Sequence, residues 1–171
     1  LLSVARYLRT TVKRFQRRAE QEFRIDIDDL ERHLTADTKL IVLTNLHNPS
    51  SALTDESTLR EIQHVARKVG ARVLVDEVYL EVASVMGKAV RSSFHLGPEF
   101  VVTTSLTKAY GLSGVRCGWI LAEPEVTRKL WQLQDLYYAT APHIAERLSV
   151  VALQQIDSIS ARAHSILSRN R

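Results

Sequence analysis

The 171-residue chain has a single cysteine, Cys117, so no disulfide can form within it. That count suits a reducing, cytoplasmic setting. No apolar run approaches the ~20 residues needed to cross a bilayer, which argues against a membrane protein. The start, Leu1-Leu2, has neither an initiating methionine nor the pattern of a secretion signal, and predicts a piece cut from something longer. His33, His47, His64, His95, His143 and His164 are scattered without zinc-ligand spacing, so no metal site is expected. No Gly-x-Gly-x-x-Gly follows an early strand, which removes a nicotinamide-binding domain. Internal repeats and low-complexity linkers are absent too.

What remains is ordinary globular material, 45% apolar and 25% charged, and long enough for one domain with a proper core. The net charge of +4 is uneven: Arg6, Arg9, Lys13, Arg14, Arg17 and Arg18 crowd the start. A nucleic-acid surface needs such a cluster, but no zinc spacing or glycine-aromatic signature accompanies it. A solvated face explains it better, and no nucleic-acid partner is expected.

Apolar runs of strand length alternate with helical stripes. Val12–Phe15 is a weak strand candidate. Asp28 and Glu31, three apart before Leu34, predict the capped start of a short helix. Leu40–Thr44 is a continuous β-favouring run, expected as a strand buried on both faces. A turn-rich loop, Asn45 to Ser51, follows. Thr54 is expected to cap a helix with the stripe Leu59, Ile62, Val65, Ala66 and Val69, which Gly70 ends. Val73–Val75, Phe100–Thr103 and Gly118–Leu121 are further strands. Pro124 opens a helix with Val126, Leu130, Leu133 and Tyr137 on one face. A long helix is expected from near Pro142 almost to the end, through Ile144, Leu148, Ala152, Ile156 and Ile159. The alternation predicts an α/β fold, a three-layer domain with a mostly parallel β-sheet flanked by helices.

Ligands of such sheets bind outside the carboxyl ends of the strands. The residues there are Asn48 after the first strong strand, Asp76 and Tyr79 after the second, and Ser105, Thr107 and Lys108 after the third; Arg116 precedes the fourth. Chemically they form a set. A partly desolvated lysine can attack an aldehyde to give a Schiff base. An aspartate can pair with a protonated pyridine nitrogen. An asparagine amide and a tyrosine hydroxyl can hold a phenolate oxygen. Two hydroxyls and an arginine suit a phosphate, which arginine grips with two parallel bonds. The combination is that of pyridoxal 5'-phosphate. Each residue alone has a plainer reading: Lys108 a surface lysine, Asn48 turn chemistry, Tyr79 core, Arg116 an ion-pair partner. Cys117 reads as a buried small side chain.

The ordered segments Asn48-Pro49, Asp76-Glu77-Val78-Tyr79, Ser105-Leu106-Thr107-Lys108 and Gly114-Val115-Arg116-Cys117-Gly118-Trp119 resemble the signature of the class I and II aminotransferases, fold-type I enzymes of the aspartate-aminotransferase kind. The resemblance implies roles. Lys108 would carry the Schiff base to pyridoxal phosphate and shuttle the α-proton. Asp76 would salt-bridge the pyridinium nitrogen. Tyr79 and Asn48 would hydrogen-bond the ring oxygen. Ser105, Thr107 and Arg116 would bind the phosphate. Where the family shows Thr-Gly after Asn-Pro, this chain has Ser50-Ser51, so the local turn is expected to differ.

The family also uses a phosphate-binding turn at a helix N-terminus, an aromatic residue stacked on the ring, a small-domain arginine for the substrate carboxylate, and a residue from a partner subunit. None is found in this sequence. The expectation is therefore residues 1–171 as one unit, a fragment of the cofactor-binding large domain, with 142–171 leading toward an absent small domain. The parent would be a homodimer exchanging an amino group between an amino acid and a 2-keto acid, the fragment incomplete as a catalyst. The same cofactor residues would serve a carbon–sulfur lyase, a decarboxylase or a cofactor-sensing regulatory module.

Overall fold

The computed structural model describes residues 2–85, 87–138 and 140–170. Helix α1 (Leu2–Tyr7) buries no residue. Residues 11–18 then run without regular structure. The expected strand at Val12–Phe15 does not form: Val12, Lys13 and Arg14 are exposed, so the run has no apolar face to hold against a sheet. Only Phe15 turns inward to the core.

Helix α2 (Ile27–His33) starts earlier than the Asp28/Glu31 pattern suggests. Its cap is Asp26, whose carboxylate accepts from the Asp29 amide at 2.9 Å. Glu31 instead pairs with Lys68 at 2.7 Å. Strand β1 (Leu40–Thr44) leads through the loop to α3 (Glu56–Val69). The cap of α3 is Asp55, accepting from the Thr58 amide at 2.9 Å, and not Thr54. Thr54 is buried with its backbone already bound to the Asn45 side chain. Gly70 ends α3 as expected, at φ +68°, where any other residue would be strained.

Strands β2 (Arg72–Asp76), β3 (Phe100–Ser105) and β4 (Gly118–Leu121) complete the sheet, with the short helix α4 (Val82–Val85) between β2 and β3. The strand order is β1-β2-β3-β4. The first two pairings are parallel and the last is antiparallel. One face carries the core: Leu30 of α2 and Leu59, Ile62, Val65 and Ala66 of α3 pack on Ile41, Leu43, Val73, Val75 and Phe100. Each such side chain contributes about 1.5–3 kcal/mol of burial. The expectation that β1 is buried on both faces fails. Ile41 and Leu43 are buried, but Leu40 and Val42 on the opposite face are 51% and 40% exposed.

Helix α5 (Pro124–Tyr137) buries no residue; Leu133 and Tyr137 of its stripe face solvent. The long terminal helix is in fact two, α6 (His143–Gln154) and α7 (Ile156–Arg169). They break at Gln155, at φ −113° and ψ 21°, where one amide is shared between the Val151 and Ala152 carbonyls at 3.1 Å each. The apolar spacing runs on across this break, so periodicity alone does not reveal it. No helix among the described residues is long and apolar enough to cross a membrane.

Candidate functional site

The strand register builds one polar rim. Thr44 lies beside Asp76, Asp76 beside Thr103, and Ser105 beside Gly118. Backbone bonds continue across the ends: Asn45 N–H to Asp76 O at 2.9 Å, Glu77 N–H to Thr103 O at 2.8 Å, and Leu106 N–H to Cys117 O at 3.1 Å. Because β4 is antiparallel, the segment entering it meets the segment leaving β3. That brings the Arg116 segment beside the Ser105–Lys108 segment. Gly118 permits the approach, since a Cβ there would come within 3.1 Å of Thr104 O and 3.3 Å of Ser105 Cβ.

Each candidate residue has its place on this rim. Asp76 closes β2, half-buried, with Oδ1 accepting from the Val78 amide at 3.3 Å. Tyr79 sits half-buried in the turn before α4, its carbonyl accepting from Val82 N–H at 3.0 Å. Ser105 closes β3 and its Oγ accepts from the Thr107 amide at 3.3 Å. Lys108 is exposed on a loop closed by Leu112 N–H to Leu106 O at 3.0 Å. Arg116 is exposed at φ +55°, its Nη1 donating to Ser113 O at 3.4 Å. Asn48 is exposed, its amide on Thr44 Oγ1 at 3.2 Å. Among the described residues, Asp76, Lys108 and Arg116 have no ion-pair partner. The side chains are not bonded to one another; the backbone lines them up.

The loop carrying Asn48 is held from behind. The buried Asn45 amide bonds the Thr54 carbonyl and N–H, both at 3.0 Å. His47 Nδ1 lies 2.6 Å from Ser50 Oγ, and its ring stacks on Phe23 at 6.1 Å. Arg17 donates to Phe23 O at 2.6 Å and Thr54 Oγ1 at 3.1 Å. Burial, and then the nearby Arg17 charge, hold the His47 pKa below its ordinary value, which favours the neutral ring. Ser51 takes a left-handed conformation, at φ +59°, that a glycine would adopt freely. Ser51 therefore holds this turn at a backbone cost.

Sequence reasoning missed two groups beside the rim. Glu77 is buried and accepts from Ser93 N–H and Oγ at 2.8 and 2.6 Å, tying the turn after β2 to the segment before β3. Glu81 is reached by Ser160 and His164 of α7. Neither pairing has a local signal, because the partners are far apart in the chain. Among the described residues no group of three or more His, Cys, Asp or Glu side chains could hold a metal ion.

The family model for aminotransferase class I and II matches residues 2–171. The chain belongs to that family. An aromatic amino acid aminotransferase of Mycobacterium sp. (strain KMS) is 29% identical over 147 residues, 84% of this chain and 39% of the relative. A histidinol-phosphate aminotransferase of Pectobacterium carotovorum is 28% identical over 160 residues, 94% of this chain and 44% of the relative. A solved PLP-dependent aminotransferase from Streptococcus suis 89-1591 superposes with a TM-score of 0.84 at 28% identity, covering 93% of this chain and 42% of that one. The chain thus spans about two fifths of the length of the relatives it matches. The fold is the expected α/β arrangement with a mostly parallel sheet.

Proposed function

We propose that this chain is the cofactor-holding part of a pyridoxal-phosphate aminotransferase that moves an amino group between an amino acid and a 2-keto acid. The observation that carries the reading is the register that sets Asp76, the Ser105–Lys108 segment and the Arg116 segment on one rim. The donor set fits the cofactor group by group. The Asp76 carboxylate, free of any cation among the described residues, suits a protonated ring nitrogen. Ser105, Thr107 and Arg116 would hold the phosphate. Asn48 and Tyr79 would donate to the ring oxygen. When bound, the cofactor supplies an electron-withdrawing ring conjugated to the substrate α-carbon.

Lys108 then has two tasks. Its amine would hold the cofactor aldehyde covalently, and would carry a proton to and from the α-carbon. Its place in the chain, three residues past Ser105, would bring that amine toward the groups proposed to hold the phosphate. The side chain of the substrate is left open by the relatives, whose names include aromatic amino acids and histidinol phosphate. Residues 1–171 would be one unit of the large domain, with α6 and α7 leading toward a small domain. The parent enzyme would be a cytoplasmic homodimer, a reading that the lone Cys117 and the family support. With two fifths of the relatives' length, the chain alone would hold the cofactor without completing the reaction.

The test is chemical labelling. The protein is incubated with pyridoxal phosphate, reduced with borohydride, digested and weighed, with Lys108→Ala as control. Labelling confined to Lys108 and lost in the control is the expected result. Labelling spread over Lys13, Lys39 and Lys68, unchanged in the control, would sink the assignment.

A further inference from the structure

The last helix holds one rim loop and approaches the second. Ser160 and His164, one turn apart on α7, reach the same carboxylate: Ser160 Oγ donates to Glu81 Oε1 at 3.1 Å, and His164 Nε2 lies 3.5 Å from it. Ser84 Oγ completes the contact, donating to the Glu81 carbonyl at 2.6 Å and lying 3.1 Å from His164 Nε2. Glu81 stands two residues past Tyr79, in a turn locked by Leu80 N–H to Glu77 O at 2.9 Å and Val82 N–H to Tyr79 O at 3.0 Å. The second loop is approached at Gly111, and Tyr110 precedes it. Tyr110 is half-buried, two residues past Lys108. Burial, and then the Glu81 charge, push its phenol pKa up, so it stays protonated across the neutral range. The Arg162 guanidinium lies 3.8 Å from where a Cβ on Gly111 would stand.

We propose that Glu81 is a positioning residue, through which α7 fixes the turn carrying Tyr79. The proposal rests on the cofactor reading of Tyr79 and Lys108. It assigns a function to a contact between segments about eighty residues apart. A turn of short hydrogen bonds does not by itself fix where a phenol at its tip points. A carboxylate two residues on, held from a second element, removes that freedom. Glu81 and His164 are each part-exposed, so the attraction between them is screened. The neutral Ser160 bond is therefore the cleaner handle on the contact.

The experiment uses the 171-residue chain. Pyridoxal phosphate is titrated by absorbance against wild type, Ser160→Ala, Glu81→Ala and the double variant, and the Tm of each is measured alongside. Each single variant should weaken cofactor binding roughly three- to tenfold, the size of one lost hydrogen bond. The double variant should be no weaker than Glu81→Ala, because both changes remove the same link. An unchanged Kd in Ser160→Ala and Glu81→Ala, with only Tm lowered, would mean a packing contact and overturns the proposal. Should Glu81→Ala not fold, Ser160→Ala decides alone. Wild type that neither binds the cofactor saturably nor labels at Lys108 removes the cofactor reading and this inference together. Saturable wild-type binding with unmoved variants removes the inference only.

Discussion

Two non-glycine residues beside the rim, Ser51 and Arg116, hold left-handed backbone at φ +59° and +55°. Such a conformation costs an L-residue roughly 1–2 kcal/mol, and strain of this kind persists where function needs the side chain. The two positions then separate cleanly. Ser51→Gly should leave stability unchanged or raise it by up to about 1 kcal/mol, after the extra unfolded-state freedom of glycine is subtracted. Cofactor affinity should not move. Arg116→Gly should relieve the same strain yet lose affinity for pyridoxal phosphate, because the guanidinium fork goes with it. Thermal melts paired with cofactor titration check both; an Arg116→Gly protein that binds as tightly as wild type would end the phosphate role. The places of the seven candidate residues near strand ends were legible from sequence, because each follows or precedes a recognisable strand. Glu77 and Glu81 were not, since a carboxylate is assigned a partner only once the chain has folded.

At the level of the element, the first residues of β1, β3, β4 and α5 were legible, and the caps of α2 and α3 were not. Strand β4 and the glycine end of α3 fall where expected. The caps of α2 and α3 shift to Asp26 and Asp55, because several residues near each start could cap and tertiary bonds choose between them. Thr54 has the right chemistry, but Asn45 and Arg17 have claimed it. Two substitutions distinguish the roles. Asp55→Ala should cost about 1 kcal/mol of stability, as the loss of a cap does. The Asn48 loop should stay intact, with cofactor binding unchanged. Asn45→Ala should cost more, since it strands the buried Thr54 N–H and carbonyl, each worth about 1–3 kcal/mol when left unpaired. Urea midpoints give the order, and a larger loss for Asp55→Ala than for Asn45→Ala contradicts it.

Over the whole molecule, one sheet face is sealed by α2 and α3 while the other leaves Leu40, Val42 and Ile120 open. An apolar run announces a strand that two layers can cover; it cannot announce whether both layers lie in the same stretch of chain. The sealed side is clamped at the entry to β3. Glu99 accepts from Arg67 Nη2 at 3.1 Å and from Gln63 Nε2 at 2.7 Å, both on α3. The Arg67 bond foremost, with the Gln63 bond adding to it, lowers the Glu99 pKa from 4.5 to about 2. A carboxylate depressed in the folded state binds its proton more readily when unfolded, so falling pH favours unfolding. The contribution of the clamp is complete above about 4.5 and disappears as pH drops through about 2. Wild type should therefore lose stability across that interval. Glu99→Gln, which keeps a neutral acceptor, should start lower at neutral pH and fall less steeply on acidification. Urea midpoints taken from neutral to strongly acidic pH measure both slopes, and parallel curves for the two proteins would show that Glu99 does not govern the acid limb.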